Sequence, residues 1–454
     1  DSNTTASFNT AIGSNTMDVN TTGAYNVAVG YAALNVSTTA DYNTAVGYYA
    51  LVANTTGTQN TMVGAFAGDA ITDGDYNTGI GVHAVGSTTT ADSNTGIGYN
   101  SLNSNTTGAA NTAVGRNSLD ANTTASNNTA VGYNALGANT TSPNNVAVGY
   151  AALDANTTGA GYNVALGYNS LTANTSGTEN TAGGWNSLGS NTTGSYNTAF
   201  GGGALDENST GAYNTAIGWK ALTAASHTAD VNVAIGANSM QANTSGTENT
   251  AVGTNSLYSN TTGSDNVAVG HNALDANTTA SNNTAVGQDA GGAVTTGANN
   301  TCIGMDAGDT ITTGSNSICI GRESDTSGSG VAEIVIGNSI VGKGNNTGFI
   351  YPPGGGGMYQ GTNGTAWSQT SDERIKKNIE DNTTGLDAIN QIRVRNFEYR
   401  TEDEITDFEN PASAVVNKEG VQVGVIAQEI ETILPDVIYE EATGVKTLDA
   451  DNLT

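Results

Sequence analysis

The sequence predicts a mostly-β chain: a parallel β-solenoid of the β-roll kind, followed by a small, separate α/β unit. Three observations carry this expectation. They are a strict internal period, a composition rich in glycine and poor in charge, and a compositional break near residue 371. The 454 residues include 60 Gly and only 5 Pro. Charged residues are 12% of the chain, about half the usual globular share. Disorder normally goes with high charge and little else to bury, and most of this chain is nearly uncharged. Collagen is excluded, because no three-residue glycine period exists. Apolar residues make up 37%, many of them Ala and Val, so a thick core of Leu, Ile and Phe is not expected.

The period comes first. The pattern Asn-Thr/Val-small-aliphatic-Gly recurs as Asn26 to Gly30, Asn43 to Gly47, Asn60 to Gly64 and Asn77 to Gly81. Twenty such closing glycines run from Gly13 to Gly337. The step is 17 residues, with 18 at two places and 16 at the last. Seventeen residues cannot hold a helix, two turns and a buried face. They can hold one coil of a solenoid, each coil pairing with the next about 4.8 Å along the axis, for a rod of roughly 95 Å.

Within a coil, Thr-Ala-Val reads as one strand and the x-Ala-Leu segment as a second. The Asn-Thr-Thr-Gly segments, such as Asn54 to Gly57 and Asn105 to Gly108, read as corners, since Asn and Gly accept left-handed angles and Asn and Thr bond nearby backbone. Val29, Val46, Val114 and Val131 are expected to form one internal ladder, and Leu34, Leu51, Leu102, Leu119 and Leu136 another. The first Asn of each unit is expected to form an amide ladder. Two aromatic stripes follow, one just before that Asn (Tyr25, Tyr42, Tyr76) and one just after the closing Gly (Tyr31, Tyr48, Tyr99), where Trp185 and Trp219 also fall. Such thin coils bury little apolar area against the ordering of 17 residues, so several chains are expected to associate, with a trimer as the reading.

The solenoid is expected over 1–343, a Gly-rich connector around Pro352 to Gly357 over 344–370, and a different unit over 371–454. Eight of the 12 basic residues lie in that last stretch. There, Gly385 to Ile392 reads as a short helix and Arg393 to Arg400 as a strand. Val421 to Ala427 reads as a buried strand, and Gln428 to Leu434 as a helix ended by Pro435.

Ser371-Asp-Glu-Arg-Ile-Lys-Lys-Asn-Ile379, Gly424-Val-Ile-Ala-Gln-Glu429 and Leu434-Pro-Asp436 resemble the intramolecular chaperone domain of bacteriophage tail fibres and tailspikes, the self-cleaving endosialidase type. The resemblance covers about 84 residues, with all three motifs in matching order. The repeats also resemble marine phage tail fibres and, more distantly, the β-roll heads of trimeric bacterial adhesins. The resemblance implies a homotrimer guided by this domain and cleavage at Thr370–Ser371. It makes Ser371 the nucleophile and Lys376 the base of a Ser-Lys dyad. Positions i and i+5 do not face each other on a regular strand or helix, so such a dyad requires a turn. Members usually continue past this point into a helical tail, whereas this sequence ends at Thr454.

Other chemistry is sparse. His83, His227 and His271 are scattered without ligand spacing, and no metal or cofactor is expected. Asp73, Asp75, Asp120, Asp154 and Asp275 read as solvated corner carboxylates, with calcium as the competing reading. Cys302 and Cys319 occupy one slot of adjacent coils, open to a disulfide or to two stacked thiols. The Asn-Thr-Thr triplets match the glycosylation acceptor pattern, although the corner role accounts for them. The net charge of −29 disfavours nucleic acid, and no apolar run is long enough to span a bilayer. Exposed Tyr31, Tyr48, Trp185 and Trp219 are candidate glycan-stacking residues. The combined reading is a tail fibre of the virion, binding a host-surface glycan or protein. It would join other tail proteins through an N-terminal segment preceding Asp1, and its chemistry would be confined to self-cleavage. The alternative is a cell-surface adhesin or filament subunit of the β-roll type.

Overall fold

The computed structural model describes residues 4–159, 161–224, 227–328, 331–352, 358–360, 385–405, 420–440 and 446–448. The chain divides into two compact units, 1–367 and 368–454.

The first unit is the expected solenoid. Each coil contributes a strand of three residues, from Thr10–Ile12 and Val27–Val29 onward, lengthening to four at Ile334–Gly337, and the last two coils add a second short pair, Ser324–Asp325 parallel to Ile340–Val341. Every strand pairs in parallel and in register with the equivalent strand of the next coil: Ala28 faces Ala45, Ala113 faces Ala130, Cys302 faces Cys319. The two 18-residue coils keep this register. Val146 pairs with Val164, and Thr215 with Val233. The sheet runs on through Gly348–Tyr351, parallel to Ile334–Gly337, and ends on the antiparallel strand Met358–Gln360.

Counting the first Asn of each coil as position 1, the lumen is lined by positions 1, 3, 8, 9, 12 and 15. In the coil from Asn43 these are Asn43, Ala45, Ala50, Leu51, Asn54 and Gly57, all buried. The leucine column is as expected, with Leu34, Leu51, Leu102, Leu119 and Leu136 fully buried. The valine column is not. A strand alternates its faces, and here the small residue at position 3 points inward. Val29, Val46, Val114 and Val131 therefore lie on the outer face, partly exposed.

The Ala-Leu segment is not a second strand. Positions 8 and 9 are adjacent and both buried, which a period of two forbids. The backbone alternates instead, with Tyr49 and Leu51 at φ of 59° and 52°. Tyr49 N–H then donates down to Tyr31 O at 3.0 Å, and Leu51 N–H donates up to Ala67 O at 3.0 Å. Left-handed angles cost a non-glycine residue roughly 1–2 kcal/mol, and these bonds to both neighbouring coils hold them in place. The closing glycine has a sharper reason. Gly98 sits at φ of 137°, and a Cβ there would stand 2.5 Å from Gly115 O of the next coil.

Two asparagine columns close the coils. Asn94 Oδ1 accepts the Asn111 N–H of the next coil at 3.0 Å, and its Nδ2 donates to Gly108 O at 2.9 Å. Asn105, from the Asn-Thr-Thr-Gly corner, donates to the same Gly108 O at 2.9 Å. Asn43 and Asn54 converge on Gly57 O in the same way. The corner asparagines are thus buried inside the solenoid, in an amide column in which Asn122 donates to Asn105, Asn139 to Asn122 and Asn156 to Asn139. Folded, Asn54, Asn105, Asn122 and Asn139 have no exposed amide to carry a sugar.

In the second unit, helix Gly385–Ile389 is followed by strand Arg395–Phe397, antiparallel to Gln422–Gly424. Helix Ala427–Glu431 precedes a 3-10 turn opened by Pro435, and strands Ile438–Glu440 and Lys446–Leu448 pair antiparallel. The strand expected to be buried is not: Val421 and Val423 are 64% and 72% exposed.

Replacing Asn94 with Ala would strand the Asn111 N–H and remove one of the two donors to Gly108 O. We expect a loss of about 2–4 kcal/mol, at about 1–3 kcal/mol per buried unpaired group. Thr124→Ala, at an exposed corner, is expected to stay within about 0.5 kcal/mol. Thermal unfolding and amide exchange at Asn111 measure both.

Candidate functional site

The outer surface of the solenoid carries the aromatic columns. Their rings stack because equivalent residues sit one rung apart. Tyr25 and Tyr42 have ring centroids 4.9 Å apart and are 1° from parallel, and Tyr196 and Tyr213 are 4.8 Å apart. In the column after the closing glycine, Tyr31 and Tyr48 stack at 5.5 Å, and Tyr133, Tyr150 and Tyr168 continue at 5.2 and 5.0 Å. Trp185 and Trp219 are two rungs apart, yet their centroids are 6.5 Å apart at 13°. The intervening residue is Gly202, and a Cβ there would stand 2.8 Å from the Trp219 ring. The tryptophans lean together over it. All four candidate glycan-stacking residues, Tyr31, Tyr48, Trp185 and Trp219, are exposed.

Ser371, Lys376 and Thr370 lie outside the described residues, so the expected dyad is neither assembled nor separated by this geometry. At the end of the second motif, Arg395 grips Glu429 with two bonds, Nε to Oε2 at 3.0 Å and Nη2 to Oε1 at 2.6 Å. The bonded guanidinium holds the Glu429 carboxyl below its usual range. Lys446 similarly meets Glu431 at 2.6 Å. These ion pairs tie helix Ala427–Glu431 to strands on either side of it in sequence. Gln391, Arg393, Gln428, Glu429, Thr432 and Ile433 line an open cleft beside the first pair. Leu386, Ile389, Val394, Val421 and Val423 all present exposed apolar side chains.

The acidic residues divide. Asp73 and Asp75 reach the coil before theirs: Thr55 Oγ1 donates to Asp73 at 3.1 Å and Thr58 N–H donates to Asp75 at 2.6 Å. Asp120, Asp154 and Asp275 are half-buried rather than solvated, and burial raises each carboxyl above its usual value. Among the described residues, no group of three or more His, Cys, Asp and Glu side chains could hold a metal ion. Cys302 and Cys319 are free buried thiols, and burial pushes Cys302 up to about 12.

One residue was missed by sequence reasoning. His227 lies in an 18-residue coil and takes the place of asparagine in the inner column. It is fully buried. Its Nδ1 lies 3.0 Å from Asn208 Oδ1, an acceptor that fixes the proton on Nδ1. Nε2 is buried without a partner. The 17-residue template at this point lacks its Asn, and that gap was the available signal.

The family model described as chaperone of endosialidase matches residues 371–439. No curated protein and no solved structure matches the chain. The matched segment, together with a solenoid of about 20 turns, fits the endosialidase type of tail fibre or tailspike. No helix among the described residues is long and apolar enough to cross a membrane.

Burial lowers the His227 pKa to about 4, against about 6.5 in an unfolded chain. The unfolded state therefore binds the proton first as pH falls. The contribution of neutral His227 is complete above pH 6.5 and is lost progressively down to about pH 4, by about 3 kcal/mol in all. The buried carboxylates with raised pKa act in the opposite direction. His227→Asn restores the column and is expected to be more stable than the natural chain at pH 4 by more than it is at pH 7. Equal differences at the two values, read by chemical unfolding, would refute this.

Proposed function

We propose that this chain is a fibre of the phage tail type, in which the solenoid is the stem and the C-terminal unit directs three chains into one trimer. The match over residues 371–439 carries this reading. It is supported by the exposed apolar side chains of that unit, which suit a domain that holds chains together during assembly. A thin lumen of Ala, Leu and Asn supports it too, because single coils bury little apolar surface and gain from association.

In this reading, the Ser371 hydroxyl attacks the Thr370 carbonyl while Lys376 takes its proton. The Thr370–Ser371 C–N bond then breaks as Lys376 returns the proton to the Ser371 nitrogen, and water hydrolyses the resulting ester to free the Thr370 carboxylate, so that one chain cuts itself once. Lysine must be neutral for that step, which requires desolvation or a nearby positive charge. Incubation of the assembled chain is expected to give a fragment ending at Thr370. Ser371→Ala and Lys376→Ala are expected to leave the 454-residue chain whole. Intact-mass measurement decides the matter, and a Ser371→Ala chain that still breaks at this bond would eliminate the dyad.

The stem's role is contact with a host-surface glycan or protein. Trp185, Trp219, Tyr31 and Tyr48 offer flat, exposed ring faces of the kind that stack on sugars. Trp185→Ala and Trp219→Ala are each expected to weaken binding to host-surface glycan by about 3–10-fold, at roughly 0.5–1.5 kcal/mol per ring contact. Glycan-array binding of the variants measures this, and unchanged affinity in both would assign the receptor contact elsewhere.

A further inference from the structure

The outer face of the parallel sheet is the most uniform surface of the molecule. It is made of positions 2 and 4 of each coil, Thr, Val or Ile at the first and Val, Ile, Leu or Phe200 at the second, with Gly183 the exception. From Thr10–Ile12 to Ile334–Gly337, none of these forty side chains is charged and none is buried. At 12% charged residues, about five charges would fall there if the face were ordinary exposed surface, where charge normally collects. Position 4 is apolar in all but one coil, where it is Gly183. Val148, Leu166, Phe200, Ile217 and Ile235 stand 37–42% exposed along it.

The exception is compensated. A Cβ on Gly183 would stand 2.5 Å from ring carbons of Phe200, the equivalent residue one rung on. The large ring fills the space that the small residue leaves. The neighbouring column repeats the device, with Trp219 over Gly202. Volume compensation between neighbours is a property of packed interiors. On a face that met only water, a bump or a dip would be harmless.

From this we infer that the Thr-x-Val face is a seam, and that its occupant is the same face of a second copy of this chain. The inference rests on the multichain reading above and assigns the surface that serves it. Nineteen steps of about 4.8 Å by two outward residues about 6.6 Å apart give a strip of roughly 600 Å². That is at the upper end of the roughly 300–600 Å² of the largest patch a typical monomer exposes, and somewhat below the roughly 800 Å² per partner of a standard interface. Only a partner with the same rung spacing stays in step along the whole strip, and another copy has that spacing by construction. The aromatic columns border the seam and remain open to outside ligands at its edges.

The test uses the full chain. Val148→Cys places a thiol on the seam, and Thr124→Cys places one at an exposed corner. The native thiols are buried. With a short bismaleimide, Val148→Cys is expected to give covalently joined chains of twofold or threefold mass on a denaturing gel, and Thr124→Cys only single chains. Independently, Val148→Asp with Leu166→Asp is expected to reduce the native mass to that of one chain, whereas Thr124→Asp leaves it multiple. If the unmodified chain is itself single by native mass, the multichain reading falls and the seam with it. If it is multiple but Val148→Cys does not cross-link and the Asp pair stays multiple, the seam alone is overturned. Reaction of Val148→Cys that is blocked by added host glycan, and not by assembly, would also overturn it.

Discussion

Many coils of the solenoid close on one backbone carbonyl held by two asparagines. The position-1 Asn reaches it from the strand end, and the corner Asn reaches it from the preceding turn. Asn94 and Asn105 on Gly108 O, and Asn43 and Asn54 on Gly57 O, are two instances. The same position-1 side chain accepts an N–H from the next coil. One amide therefore both closes a coil and joins it to its neighbour. Buried polar groups are normally paired, and a side-chain amide supplies both a donor to the coil's own carbonyl and an acceptor for the next coil's N–H. That requirement explains why Asn recurs at both positions, and why the column ends where other chemistry enters: Ser317 closes the run, and buried Glu333 follows it, bonded to Ser327 and Gly344.

The clamp sets the cross-section. With two amides and one leucine in the lumen of many coils, position 3 is Ala, Gly or Cys in all coils but two, which carry Met62 and Val335. Where Met62 enters, its neighbours at Gly68 and Gly79 have no side chain to oppose it. The larger aliphatic residues are displaced to the outer side of the same strands. The apolar surface that would stabilise an ordinary core is thus divided, half facing a thin lumen and half facing outward. An apolar surface divided in this way is the feature on which the proposed association of chains rests.

That unit is organised differently. Its described elements are short and held by ion pairs, Arg395 with Glu429 and Lys446 with Glu431, rather than by a repeating ladder. Ile430 and Val437 are buried, while several apolar neighbours stand in the open. Two kinds of stability result within one chain. The stem is a sum of near-identical rungs, each dependent on the next, and the terminal unit is a compact unit with surface left to give to partners.

Much of this was legible in the residues. The period alone determined the parallel register, the rung count, the leucine column and the stacked aromatics, because an in-register repeat forces equivalent residues to be neighbours. The three motifs of the last unit marked its kinship in the same direct way. Tertiary structure decided what faces inward. Alternation along a three-residue strand is satisfied equally by Val in or Ala in, and only the closing of the coil around two buried amides selects Ala. The Ala-Leu pair reads as strand by composition, yet left-handed residues held from both sides make it a turn. His227 entered the inner column because an inserted residue shifted the register of one corner, and the burial that gives it a lowered pKa exists only once coils lie on either side.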